Sequence, residues 1–98
     1  ILVLNRTAPD QYMVQFLPID LYKLAQEVIS SEYEPILERE QHFDLEGSSV
    51  TIRGDGTALR SLISNLIANA SKYSPAHAQI RMRIAQRGNR VNMSVVLA

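Results

Sequence analysis

No cysteine occurs among the 98 residues. Disulfides, thiolate chemistry and a cysteine-based metal knuckle are therefore excluded. Nor does either sign of charge dominate. Ten basic and ten acidic residues cancel to a formal net charge of zero, so the basic excess of a nucleic-acid binder is missing. No apolar run approaches the roughly 20 residues that a membrane-crossing helix needs. The opening Ile-Leu-Val-Leu has neither the basic front nor the long apolar stretch of a secretory signal. Repeats and low-complexity segments are also lacking. What is there is an ordinary globular composition, 46% hydrophobic and 20% charged, in a length that supports one core rather than two. Both ends fall inside apolar patterns, so the sequence is expected to be a piece of a longer chain.

Residues 1–5 read as the last turn of a helix, and Arg6 to Gln11, with Pro9, as a linker. Tyr12 to Leu17 has the mixed pattern of a short strand. Pro18-Ile19-Asp20 should open the first long helix, with Asp20 as N-cap. Leu21, Leu24, Ala25, Val28 and Ile29 follow at steps of three and four. Pro35 should kink or split this helix, because it removes a donor and crowds the preceding turn. Beyond it, Ile36 and Leu37 continue the apolar face. The acidic residues Glu32, Glu34, Glu38 and Glu40 read as its solvated side.

His42–Leu45 and Val50–Arg53 are short strand candidates, separated by Glu46-Gly47-Ser48-Ser49 with turn chemistry. Gly54-Asp55-Gly56 ends the second, and Asp55 can cap a helix over about Thr57 to Tyr73. Leu59, Leu62, Ile63, Leu66, Ile67 and Ala70 mark its expected buried stripe. Two alternating strands close the chain. Ile80, Met82 and Ile84 oppose Gln79, Arg81 and Arg83, and Val91, Met93, Val95 and Leu97 oppose Asn92, Ser94 and Val96. Gln86 to Arg90 supplies the hairpin turn. Arg81, Arg83, Arg87 and Arg90 form a small basic group on an outer face. This order predicts an α+β two-layer sandwich, with two long helices on one face of a mainly antiparallel or mixed sheet.

At 100° per residue, Asn65, Asn69 and Lys72 fall together at the margin of the apolar stripe, with Tyr73 on the same side. Asparagine is a poor helix former. Two of them one turn apart are explained by a partner that needs amide oxygens and donors, such as a magnesium ion with phosphates. Spacing alone does not separate this from a solvated polar face.

The local sequence does. Asn65-Leu66-Ile67-Ala68-Asn69-Ala70-Ser71-Lys72-Tyr73-Ser74-Pro75 closely resembles the asparagine box of the sensor histidine kinases of bacterial two-component systems. The Gly54-Asp55 turn and the helix after Pro18-Ile19-Asp20-Leu21 also resemble that family, and Leu2 to Arg6 resembles the end of its dimerisation helix. The resemblance implies residues 1–11 as the end of the dimerisation helix and linker, and 12–98 as the N-terminal part of the ATP-binding domain. That domain is of the GHKL, or Bergerat, type shared with gyrase, the ninety-kilodalton heat-shock chaperone and MutL. Asn65 and Asn69 would help hold magnesium and the ATP phosphates, and Lys72 and Tyr73 would contact the nucleotide. The implied partners are ATP, the protein's own dimerisation and histidine-phosphotransfer domain in a homodimer, and a response regulator receiver domain. The implied setting is the cytoplasmic part of a bacterial inner-membrane protein.

The family's glycine boxes are not matched by Gly47, Gly54, Gly56 and Gly88. They are expected beyond residue 98, and the sheet is expected to be incomplete and the fragment inactive by itself. An exposed sheet edge would favour association with another copy. Neither His42 nor His77 has the His-Glu setting of the family's phosphoacceptor. Two rivals remain, a kinase-like module that only binds partners and another ATPase of this fold. The second usually has glutamate where Asn65 stands, as the base that activates water, and an amide cannot take that proton.

Overall fold

Two aspartates each end an extended segment and start a helix. In the computed structural model, which describes residues 16–97, Asp20 closes strand β1 (Leu17–Asp20) and caps α1 (Leu21–Ser31), accepting from the Lys23 backbone N–H at 3.1 Å. Asp55 follows β3 (Thr51–Gly54) and caps α3 (Gly56–Tyr73) through the Thr57 N–H at 3.1 Å. Each carboxylate satisfies a backbone donor that the first helical turn leaves free.

Pro35 splits the first helix as its ring requires. A short α2 (Tyr33–Glu38) follows the break at Glu32, whose backbone N–H still bonds the carbonyls of Val28 and Ile29. Ile36 is buried, whereas Leu37, expected on the same face, is exposed. Residue 40 then adopts a left-handed backbone with φ of 54°. The Glu40 N–H bonds the Leu37 carbonyl, and the Gln41 N–H reaches back to Ile36. This pair of bonds is a Schellman stop.

Strand β2 (His42–Gly47) leaves that stop. It pairs in parallel with β4 (Gln79–Arg87), His42 opposite Gln79 and Gly47 opposite Ile84. Strand β5 (Arg90–Leu97) returns antiparallel to β4, with Arg87 opposite Arg90. Gly88, with φ of 59°, takes the first of the two turn positions, where a II′-type hairpin turn needs glycine. β1 and β3 form a separate antiparallel pair. The two short strands around residues 42–53 therefore belong to different sheets and do not pair with each other.

Ile80, Met82 and Ile84 of β4 are buried, as their alternation predicts. Met82 and Ile84 join Leu21, Leu24, Ala25 and Val28 of α1 and Ile63 and Ile67 of α3 in one core cluster. Each fully buried aliphatic side chain of this size contributes about 1.5–3 kcal/mol. On the outer face, Arg83 donates to Glu46 Oε2 at 2.9 Å. Arg81 Nε stands 3.1 Å from Glu46 Oε1 but off hydrogen-bond alignment. The basic group on this face is thus partly neutralised by one carboxylate.

Two expectations need correction. The strand expected over 12–17 lies almost wholly outside the described residues, as do residues 1–11. Within them the strand is Leu17–Asp20, so Pro18 and Ile19 are extended and the helix begins only after the expected cap at Asp20. Pro18 is tolerated there because, among the described residues, β1 pairs on one side only, with β3. The buried line of α3 is also turned from the expected one. Ile63, Ile67 and Ser71 are buried, while Leu59, Leu62, Leu66 and Ala70 are only half-buried.

Candidate functional site

Helix α3 carries the site, and its apolar stripe is wider than one packing surface. From Leu62 to Ile67 the stripe spans about 140° at 100° per residue. Ile63 and Ile67 occupy one side and enter the core against α1 and β4. Leu59, Leu62 and Leu66 occupy the other and line an open cavity of about 530 Å³. Leu21, Ile52 and the β5 residues Val91, Asn92 and Met93 form the rest of its wall. The wall is therefore mostly apolar, with one amide from Asn92.

Around the helix, Asn65 and Asn69 lie about 60° and 20° from Leu62. Both are exposed. Lys72 and Tyr73 follow at the end of the helix, also exposed, Tyr73 by 77%. The Lys72 ammonium sits 5.4 Å from the centre of the Tyr73 ring, within the range of cation–π attraction. The expected residues are thus brought onto one side of the helix; none of them lines the cavity itself, and Lys72 lines a smaller pocket with Arg39 of the α2 end and Ser71. Asn92 was not singled out from the sequence as a site residue. It stood among the polar positions of an alternating strand, and nothing in that pattern marks one such position as a cavity wall.

The electrostatics of this edge follow from its place on the helix. It lies toward the C-terminal, negative end of α3. An anion drawn here needs cations, and Lys72 in the last turn is one. Among the described residues, no group of three or more His, Cys, Asp or Glu is placed to hold a metal ion. The donors available at this edge are amide oxygens, which suit a hard cation such as magnesium when phosphates and waters complete its shell.

His42 and His77 lie elsewhere. His42 Nε2 is 2.9 Å from Asp44 Oδ1 on β2, and His77 Nδ1 is 3.1 Å from Glu40 Oε2. Both pairs are exposed. At the N-terminus of α1, the Asp20 carboxyl is held below its ordinary value. The hydroxyl of Ser49 donates to it at 2.8 Å and is the main cause, with the Lys23 N–H adding to it.

No protein-family model matches the chain. Individual relatives do. The chain is 30% identical over 95 residues to the sensor protein kinase PmrB of Pseudomonas aeruginosa, covering 97% of this chain and 20% of that protein. It is 38% identical over 69 residues to the sensor protein BasS of Salmonella typhimurium, covering 64% of this chain and 19% of that one. The chain thus spans about a fifth of the length of these relatives. Among solved structures, the nucleotide-free catalytic domain of histidine kinase ThkA superposes with a TM-score of 0.75 at 22% identity. That match covers 83% of this chain and 57% of the ThkA chain.

Proposed function

For a chain homologous to sensor histidine kinases and folded like their catalytic domains, we propose that the asparagine edge of α3 and the cavity beside it bind magnesium and ATP. The protein that contains it then phosphorylates a histidine on its own dimerisation segment and passes the group to the receiver domain of a response regulator. One observation carries this reading. Two exposed amides, followed within a turn by an exposed ammonium, share the helix with Leu62 and Leu66, which line an open, mainly apolar cavity of about 530 Å³. A nucleotide has the same division, with a flat, weakly polar base at one end and a phosphate chain at the other.

In this reading Asn65 and Asn69 offer amide oxygens to magnesium and amide N–H groups to phosphate oxygens. Lys72 places an ammonium against the phosphates, and Tyr73 offers a ring to the sugar or base edge. Bound magnesium would offset charge on the phosphates. An amide at Asn65 cannot take a proton from water as a glutamate there would, which favours transfer to histidine over hydrolysis. Positioning and charge neutralisation are what phosphoryl transfer asks of a protein. The receiver-domain partner draws support from ThkA, which has been solved in complex with the response regulator protein TrrA.

Among the described residues, no helix is long and apolar enough to cross a membrane. The reading assigns this part to the cytoplasmic side of a homodimeric inner-membrane protein.

The test is label transfer from γ-labelled ATP to the full-length protein. Label that is lost in acid and kept in base, as a phosphorus–nitrogen bond dictates, and that is absent from Asn69→Ala, is the expected result. A folded protein that binds its regulator but takes up no label would instead be the non-catalytic module.

A further inference from the structure

The last turn of α3 is tied down by one buried side chain. Gln41 follows the Schellman stop of α2 and is 6% exposed. Its Nε2 lies 3.0 Å from the Ser71 carbonyl, 3.2 Å from that of Ser74 and 3.1 Å from that of Pro75. Its Oε1 accepts from the Ser71 hydroxyl at 2.6 Å. Ser71 is 5% exposed, and its carbonyl also accepts from Arg39 Nη1 at 2.8 Å. A helix end leaves its final carbonyls without intrahelical donors, and here one amide answers three carbonyls and a hydroxyl at once.

Ser71 stands between Asn69 and Lys72 in the sequence. On the helix it points inward while they point out. Any rotation of the last turn that released Ser71 would carry Asn69, Lys72 and Tyr73 with it. The loop beyond is stitched to the same junction, with the His77 N–H donating to the Arg39 carbonyl at 3.1 Å and the His42 N–H to Ala78 at 3.0 Å.

We propose that Gln41 is a positioning residue for the nucleotide site, setting the rotation of the last turn of α3 through Ser71. The proposal rests on the nucleotide-binding reading above. Gln41 touches no ligand. It holds Ser71 and the carbonyls after it, so that the outward residues of the same turn meet phosphates without first being ordered. Glutamine suits the place because it donates and accepts from one planar group. Glutamate of the same shape keeps the acceptor and loses the donor. When ionised it would also set a negative charge against three carbonyl oxygens.

The experiment is calorimetric titration of the full-length protein with magnesium and ATP, for wild type, Gln41→Glu, Ser71→Ala and Val28→Ala. Val28 is buried in α1 away from the edge, so Val28→Ala controls for lost stability alone. At pH 8 the dissociation constant should rise about tenfold in Gln41→Glu, the scale of one lost buried hydrogen bond. It should stay within about twofold of wild type in Val28→Ala, even where that variant melts earlier. Lowering the pH should protonate the buried carboxyl, restore one donor and recover the affinity of Gln41→Glu relative to wild type. If Gln41→Glu does not fold, Ser71→Ala decides, with an expected loss of about three- to fivefold. Unchanged affinity in the folded Gln41 variant, or in Ser71→Ala where that decides, overturns the positioning role and leaves the nucleotide site standing. A wild type that binds no nucleotide overturns both.

Discussion

The two sides of α3 differ in what faces them. Toward α1 and β4, Ile63 and Ile67 are fully enclosed and Ser71 is hydrogen-bonded into the same layer. Toward β5, Leu59, Leu62 and Leu66 line an open cavity and stay half-exposed, with Asn65 and Asn69 beside them. The same kind of aliphatic residue serves stability on one side and, in the proposed reading, a ligand surface on the other. A helix whose apolar stripe is too wide for one packing partner has apolar area left for something else.

The largest expected effect tests the closed side. Ile67→Ala should cost about 3 kcal/mol in denaturant unfolding, because the enclosed site cannot collapse around the lost atoms. Leu66→Ala, on the open side, should cost about 1 kcal/mol or less and weaken nucleotide binding instead. Equal stability losses for the two variants would erase the distinction between the sides.

Gly47→Ala comes next, at about 2–3 kcal/mol. Residue 47 has φ of 125°, and a Cβ there would collide with the Ile84 carbonyl of the parallel neighbour β4. Thermal unfolding would read the loss, and because β4 backs the closed side, nucleotide affinity of the folded fraction should change little.

A smaller effect comes from acid. The Asp20 carboxyl is held below its ordinary 3.8 by the Ser49 hydroxyl. Its contribution is therefore complete above pH 3.8 and is lost as the pH falls below that value through the folded-state value. Ser49→Ala should flatten this acid-side decline in the unfolding midpoint, and a decline as steep as in wild type would assign it to other carboxylates.

The smallest change is a gain. Glu40 holds a left-handed backbone that costs a side-chain-bearing residue about 1–2 kcal/mol. Glu40→Gly should raise stability by about 0.5–1 kcal/mol, the larger loss of chain entropy by glycine offsetting part of the relief. An exposed contact with His77 is lost at little cost. A stability decrease would mean that the Glu40–His77 contact holds the α2–β2 junction.

Much of this was legible in the sequence because it is local. The alternation of Ile80, Met82 and Ile84, the caps at Asp20 and Asp55, and the break at Pro35 each follow from short-range rules. Partner choice between strands does not. The parallel pairing of β2 with β4 joins residues more than 30 apart, and no spacing along either strand announces it. Pro18 and Ile19 misled for a physical reason, since the residues just before a helix cap can belong to a strand that the capping residue itself ends. The asparagine edge was legible through its motif. The cavity beside it showed only as an over-wide stripe, and Gln41 gave no signal, because a lone glutamine before a strand resembles any surface residue until its partners are folded around it.

The central claim is that the open side of α3 binds magnesium and ATP. Its most direct test is calorimetric titration of the full-length protein and of Asn69→Ala with ATP, with and without magnesium. Saturable, magnesium-dependent binding that disappears in a folded Asn69→Ala variant is the predicted result. Binding that survives unchanged in that variant, or that ignores magnesium, would contradict it.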